Sequence, residues 1–186
     1  TYARRDGDTL REQLYYSGSD ASGLNGANAL NQYGSRTVPR LLGVLGKAHA
    51  NAHVTANSQS ATRAGDYFQV LLDYSGGSNP DDARNESILL VGTYAGQGAG
   101  GSDAVAEVST VAYLPPNPEN FTFDADGNLS SDSRWSYTWD GENRLIAMET
   151  AAVALAAGVE KQKLQFSYDS QGRRFRKEAY VWDNGS

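Results

Sequence analysis

The chain has 186 residues, no cysteine and a net charge of −6 at neutral pH. Without cysteine it can form neither a disulfide nor a thiolate metal site, and its acidity argues against a nucleic-acid partner, which favours a basic patch. No apolar run reaches the ~18 residues that span a bilayer, and 39% apolar residues with 20 glycines suit an all-β chain of many turns.

Residues 1–40 are polar, with turn clusters at 6–8 and 17–20 and an expected strand at 10–16. The run Asn28-Ala29-Leu30-Asn31-Gln32-Tyr33 loosely copies a pattern that recurs later, so 1–40 is expected to hold degenerate repeat strands. Residues 41–46 read as an apolar hinge. Beyond it the texture changes. Strands are expected at 52–56, 67–72, 87–94 and 104–111, with turns at 57–58, 64–66, 75–80 and 96–102 between them. Short strands at this spacing predict a small immunoglobulin-like β-sandwich over 41–116. Pro115, Pro116 and Pro118 close it, because proline cannot continue a central strand.

Over 117–186 one pattern occurs three times: an aromatic, Asp, two free positions, then Gly or Asn. The copies are Phe123-Asp124-Ala125-Asp126-Gly127, Trp139-Asp140-Gly141-Glu142-Asn143 and Tyr168-Asp169-Ser170-Gln171-Gly172. Composition alone predicts about 0.2 matches, so this is an internal repeat. Alternation in 135–139 and 164–168 places an apolar face on a half-buried strand. Each Asp then ends its strand, its carboxylate accepting the N–H two residues on, while Gly127, Asn143 and Gly172 tolerate a positive φ. Each unit is therefore an expected β-hairpin. The third copy starts later than the spacing of the first two implies. The Ala-rich stretch 151–158 supplies the difference, and at that length an irregular hairpin tip is expected over a helix.

These segments, with Asn128-Leu129, Arg144-Leu145 and Arg173-Arg174 after them, resemble the YD repeats of rearrangement-hotspot (RHS) proteins over about a third of the chain. The sequence departs from the family pattern in using Phe123 and Trp139 for Tyr, and Asn143 for Gly. The resemblance implies hairpins aligned in a spiralling sheet, which in large members forms a shell around a C-terminal toxin or effector. It also implies a bacterial, exported or surface location. A chain that opens at Thr1 and ends in Trp182-Asp183-Asn184-Gly185-Ser186, like a repeat cut short, reads as a fragment.

Catalytic and metal constellations are thin. His49 and His53 share an i, i+4 spacing, but on an expected strand they are too far apart for one metal, and Ala50 stands where a zinc protease needs its Glu. The glycines of 96–101 satisfy a dinucleotide-loop pattern without a following helix, and read as an inter-strand loop. The acidic loop at Asp124 has Trp135 where a calcium hand needs a bidentate Glu. No catalytic, cofactor or metal residues are therefore assigned. The expectation is a non-catalytic scaffold segment whose important positions, Phe123, Asp124, Gly127, Trp139, Asp140, Asn143, Tyr168, Asp169 and Gly172, are architectural. Its expected partners are neighbouring repeats and an enclosed effector. Two alternatives are a glycan- or protein-binding module using the loops at 57–66 and 75–86, and a fibre subunit that self-associates through sheet edges.

Overall fold

The computed structural model describes residues 2–6, 9–14, 16–17, 27–28 and 30–182, the first three stretches by their backbone alone. The expected turns at 6–8 and 17–20 and the cut-short repeat at the C-terminus lie largely outside the described residues. In chain order the strands are β1 (Tyr2–Asp6), β2 (Thr9–Leu14), β3 (Tyr16–Ser17), β4 (Ser35–Arg36), β5 (Leu41–Lys47), β6 (His53–Ala56), β7 (Gln59–Ser60), β8 (Thr62–Ala64) and β9 (Tyr67–Asp73). They continue with β10 (Arg84–Tyr94), β11 (Ala104–Leu114), β12 (Glu119–Asn120), β13 (Thr122–Phe123), β14 (Leu129–Ser131), β15 (Trp135–Trp139), β16 (Leu145–Thr150), β17 (Gln162–Tyr168) and β18 (Arg174–Val181); a short helix, α1 (Ala152–Ala156), interrupts the last run. The protein is all-β, built from open antiparallel sheets.

Two units divide the chain. One comprises Arg40–Pro80 and Glu86–Ala112; the other comprises Thr1–Pro39, Asp81–Asn85 and Tyr113–Ser186.

The first unit is a two-sheet sandwich. One sheet runs β5-β9-β8 and the other β11-β10-β6-β7. Alternation along β9 turns Phe68, Val70 and Leu72 inward, each under a tenth exposed. Val70 and Leu72 meet Ala56 and Ile88 of the other sheet, with Leu42, Val44 and Leu90 packed around them. Asn57 and Ser58 both have positive φ, 46° and 66°, as the two-residue turn joining β6 to β7 requires. Residues 41–46, expected as a hinge, form β5 instead and pair with β9 from Leu41↔Asp73 to Lys47↔Tyr67. Gly46 explains the misreading. It looks like a strand breaker, yet a Cβ there would lie 2.5 Å from the ring of Phe68, its partner across the ladder. Glycine makes room for that ring. The short strands β7 and β8 escaped the sequence reading because neither is long enough to show alternation.

The second unit centres on a six-stranded meander, β13-β14-β15-β16-β17-β18. One row of side chains is polar: Ser136 opposes Glu149, Glu149 opposes Lys163, and Lys163 opposes Tyr180. The adjoining row, on the other face, is Tyr137, Met148, Leu164 and Ala179. The Ala-rich stretch expected as an irregular tip is α1. Val159 N–H donates to Ala154 O and Gly158 N–H to Leu155 O, closing the helix in a Schellman motif with Gly158 at φ 87°. Packing decides for the helix. Ala151, Ala154 and Val159 are all buried, which offsets the poor stability of so short a helix alone. A second, small sheet in this unit is β12-β4-β3, in which residues 35–36 pair on one side with 16–17 and on the other with 119–120.

Candidate functional site

The three aromatic-Asp turns adopt one hydrogen-bond scheme. In each, the Asp N–H donates to the carbonyl four residues on, and the left-handed residue's N–H donates to the Asp carbonyl: Asp124/Gly127/Asn128, Asp140/Asn143/Arg144 and Asp169/Gly172/Arg173, at 2.9–3.1 Å. The φ values of Gly127, Asn143 and Gly172 are 88°, 59° and 74°. One carboxylate oxygen of each Asp accepts two backbone N–H groups. These come from Asp126 and Asn128, from Glu142 and Arg144, and from Gln171 and Arg173. The N–H two residues on is the bond expected from sequence; the one four residues on is additional. The second oxygen accepts from a side chain: Asn128 Nδ2 at 3.2 Å, Arg144 Nε at 2.7 Å and Arg173 Nε at 2.8 Å.

Residues 28–32 repeat the scheme with an amide. Asn28 N–H donates to Gln32 O, Asn31 N–H donates to Asn28 O, and Asn28 Oδ1 accepts from Leu30 and Gln32 N–H. Asn31 holds the left-handed position at φ 60°.

These turns touch one another. Gln32 Nε2 donates to Gly127 O at 2.9 Å, and Asn128 Nδ2 donates to Asn143 Oδ1 at 2.8 Å. The Arg144 guanidinium then lies 5.2 Å from the Tyr168 ring centre, where its charge also acts on Asp169. Four turns thus stand in a row along one margin of the sheet.

The aromatics couple successive hairpins. Trp139 Nε1–H donates to Leu129 O at 2.7 Å, and the Tyr168 hydroxyl donates to Leu145 O at 2.8 Å. Leu129 and Leu145 each stand five residues after their own Asp. Phe123, which has no polar head, cannot make the equivalent bond. Reading the aromatics as a packing face missed this role; the enrichment of Trp and Tyr, the aromatics with a donor, was the available signal.

The electrostatics follow. Burial opposes ionisation of Asp124, but bonds from Asn128 and Asp126 outweigh it and hold the carboxyl below its usual range. The Arg144 N–H lowers Asp140 against desolvation, helped by the Arg144 guanidinium; the Arg173 N–H and then its guanidinium lower Asp169. These carboxylates face N–H donors, so the acidic loop at Asp124 is occupied with its own backbone. Among the described residues no three His, Asp or Glu side chains converge as metal ligands.

A second polar cluster joins the small sheet to the meander. Glu119 is buried, takes Arg36 Nε at 2.5 Å on one oxygen and the Ser133 hydroxyl on the other. The Tyr113 hydroxyl donates to Ser133 O at 2.7 Å. Beside it Asp132 accepts the N–H groups of Arg134 and Trp135 and the Tyr137 hydroxyl at 2.8 Å. Desolvation, then the bond to Asp132, pushes the Tyr137 phenol well above its usual range. In the same unit Asn117 Oδ1 accepts the Val38 N–H while its amide donates to Asp81.

The histidines do not share a strand. His49 sits in the turn before β6, stacked on Tyr94 at 4.4 Å with its Nδ1 accepting the Asn51 N–H; His53 lies in β6, 3.2 Å from the Ser60 hydroxyl. The glycines of 96–101 form the β10–β11 connection, with one 3-10 turn at Ala99–Gly101.

No protein-family model matches the chain, and no solved structure matches it. Among curated proteins it is similar to three, each 34% identical over 61 residues. They are tRNA nuclease WapA of Bacillus subtilis strain 168, tRNA3(Ser)-specific nuclease WapA of Bacillus spizizenii and tRNA(Glu)-specific nuclease WapA of Bacillus subtilis subsp. natto. The matched stretch is 33% of this chain and 2% of each relative, so the chain aligns with a small part of much longer proteins. These names correct the expectation of a non-enzyme. That expectation weighed only constellations inside 186 residues, whereas the nuclease names belong to polypeptides of which the aligned part is a small fraction.

Proposed function

We propose that the chain is a scaffold-building segment of a longer RHS-type polypeptide whose complete form bears a nuclease activity of the kind its relatives are named for. On this reading the polypeptide is exported or displayed at a bacterial surface, and the segment's partners are further hairpins and an enclosed effector. The observation that carries it is the row of turns: Asn28, Asp124, Asp140 and Asp169 each hold their own loop closed, the first three loops bond to one another, and Arg144 reaches the Tyr168 ring beside the fourth. Asp140→Ala in the purified chain tests it. The expected result is a melting temperature lowered by a few degrees. A variant that melted like the parent but lost a tRNA-cleaving turnover of the chain would overturn the reading.

A second reading, a ligand platform, has one observation in its favour. Tyr180 and Trp182 are 42% and 41% exposed and line one shallow groove with Lys163 and Gln165. Exposed aromatics with polar tips suit sugar rings. Glycan-array binding lost on Trp182→Ala would favour this reading; no binding by the parent chain would dismiss it.

A further inference from the structure

Strand β11 is the outer strand of its sheet, hydrogen-bonded on one side to β10. Its residues 105–111 are all exposed, so neither of its faces is covered there. Val105, Val108 and Val111 are 59%, 58% and 63% exposed. Over 104–112 the sequence is Ala-Val-Ala-Glu-Val-Ser-Thr-Val-Ala, with Glu107 as its single charge and no Pro or Gly. A long, apolar, β-branched edge presents a row of unpaired N–H and C=O groups, and proteins ordinarily guard such edges.

The other edges among the described residues are guarded. β3, β7, β12 and β13 are two residues long and β8 is three. β5 carries Gly43 and Gly46 and ends on Lys47; β18 carries Arg174, Arg176, Lys177 and Glu178. β1 and β2 carry Arg4, Arg5, Arg11 and Glu12.

We infer that β11 is an interaction surface for a second copy of this chain, the two β11 strands pairing antiparallel about a two-fold axis at Val108. The sequence is self-complementary in that register. Val108 meets Val108, Val105 meets Val111, Ala106 meets Thr110 and Glu107 meets Ser109. Successive residues face opposite sides, so the Val108 pair lies on one face and the two Val105–Val111 pairs on the other, while the two Glu107 carboxylates each oppose a serine and meet only diagonally. An axis at Glu107 would set them face to face, which opposes pairing. Residues 104–112 give a shared ladder of roughly 30 Å. The contact is isologous, so it consumes one edge per copy and closes at a dimer.

Sedimentation of the 186-residue chain over a concentration series tests this, with a monomer–dimer equilibrium expected. Val108→Lys places two ammonium groups at the axis and should weaken the dimer about tenfold or more. Two double variants then fix the register. Val105→Lys with Val111→Lys should be monomeric. Val105→Lys with Val111→Glu should remain a dimer, because each introduced lysine faces an introduced glutamate. Amide exchange at 104–112 supplies a readout without mutation, and it should slow as concentration rises. A chain that stays monomeric, exchange independent of concentration, or double variants that behave alike overturn the inference.

Discussion

The Tyr168 hydroxyl donates to the Leu145 carbonyl at 2.8 Å, tying the start of one turn to the strand that leaves the turn before it. Trp139 and Leu129 stand in the same relation one hairpin earlier. Different ring chemistry reaches the same backbone atom, so the donor, more than the ring's identity, is what the position requires. Tyr168→Phe keeps the ring and removes the bond, and should cost about 0.5–1.5 kcal/mol, read from urea unfolding. Phe123→Tyr offers a donor where none exists. If donors are what the position requires, it should leave stability level or raise it, and a clear loss would count against the argument.

The lowered carboxyl groups of Asp124, Asp140 and Asp169 make the sheet acid-sensitive. A depressed folded-state pKa contributes stability that is complete above the unfolded value, near 3.8, and is lost as pH falls through the folded value. Asn28 shows that an amide fits the same loop. A chain with all three Asp→Asn changes should therefore fold, and its melting temperature should fall less steeply than the parent's on acidification below that range. Parallel curves would remove the carboxylates from the account.

Asn143 holds a left-handed backbone at φ 59° where the other copies have glycine. Its side chain also accepts from Asn128. Asn143→Ala keeps a Cβ in that conformation and loses the acceptor, and should destabilise by about 1–2 kcal/mol. Asn143→Gly relieves the backbone and loses only the side-chain bond, so it should fall between Ala and the parent in chemical denaturation. Ala and Gly variants of equal stability would show that backbone strain does not decide this position.

Gly46→Ala should destabilise the sandwich by roughly 1–3 kcal/mol, because the new methyl meets the buried ring of Phe68. Gly46→Ala combined with Phe68→Leu should recover part of that loss. A single variant as stable as the parent would mean the ring can step aside.

The turns were legible because their chemistry is local. Asp140 and Asn143 lie within one loop, so spacing alone reveals both the acceptor and the left-handed residue. Even the echo at Asn28 could be read this way. The bonds between turns were not legible, since Gln32 and Gly127 are joined only by folding. Arg144 and Arg173 were read only as repeat positions following the turn, although each guanidinium reaches back to its Asp. Residues 41–46 failed for the opposite reason: Gly46 signals a break locally, and the cause of its presence, Phe68, lies on another strand. The helix at 152–156 failed likewise, because burial of Ala154 outweighs the weak propensity of a single turn.

In a meander successive connections alternate between the two margins of the sheet. The turns at 124–128, 140–144 and 169–173 share one margin, whereas α1 belongs to the other. The bonded margin fixes the length of every loop on it, since an added residue at 141 would part Asp140 from the N–H groups it accepts. On the opposite margin Asp132 closes the β14–β15 turn in a similar way, but the β16–β17 connection has no such gauge. That connection accommodates the whole of α1, with Thr150 Oγ1 bonded across its base to Glu160 O and the Gln162 N–H. The sheet can therefore take extra chain at the β16–β17 connection without disturbing the bonded margin. A peptide spliced in at exposed Leu155 and Ala156 should leave the pairing of β16 with β17 undisturbed, whereas the same peptide at Gly141 should unravel the pairing of β15 with β16.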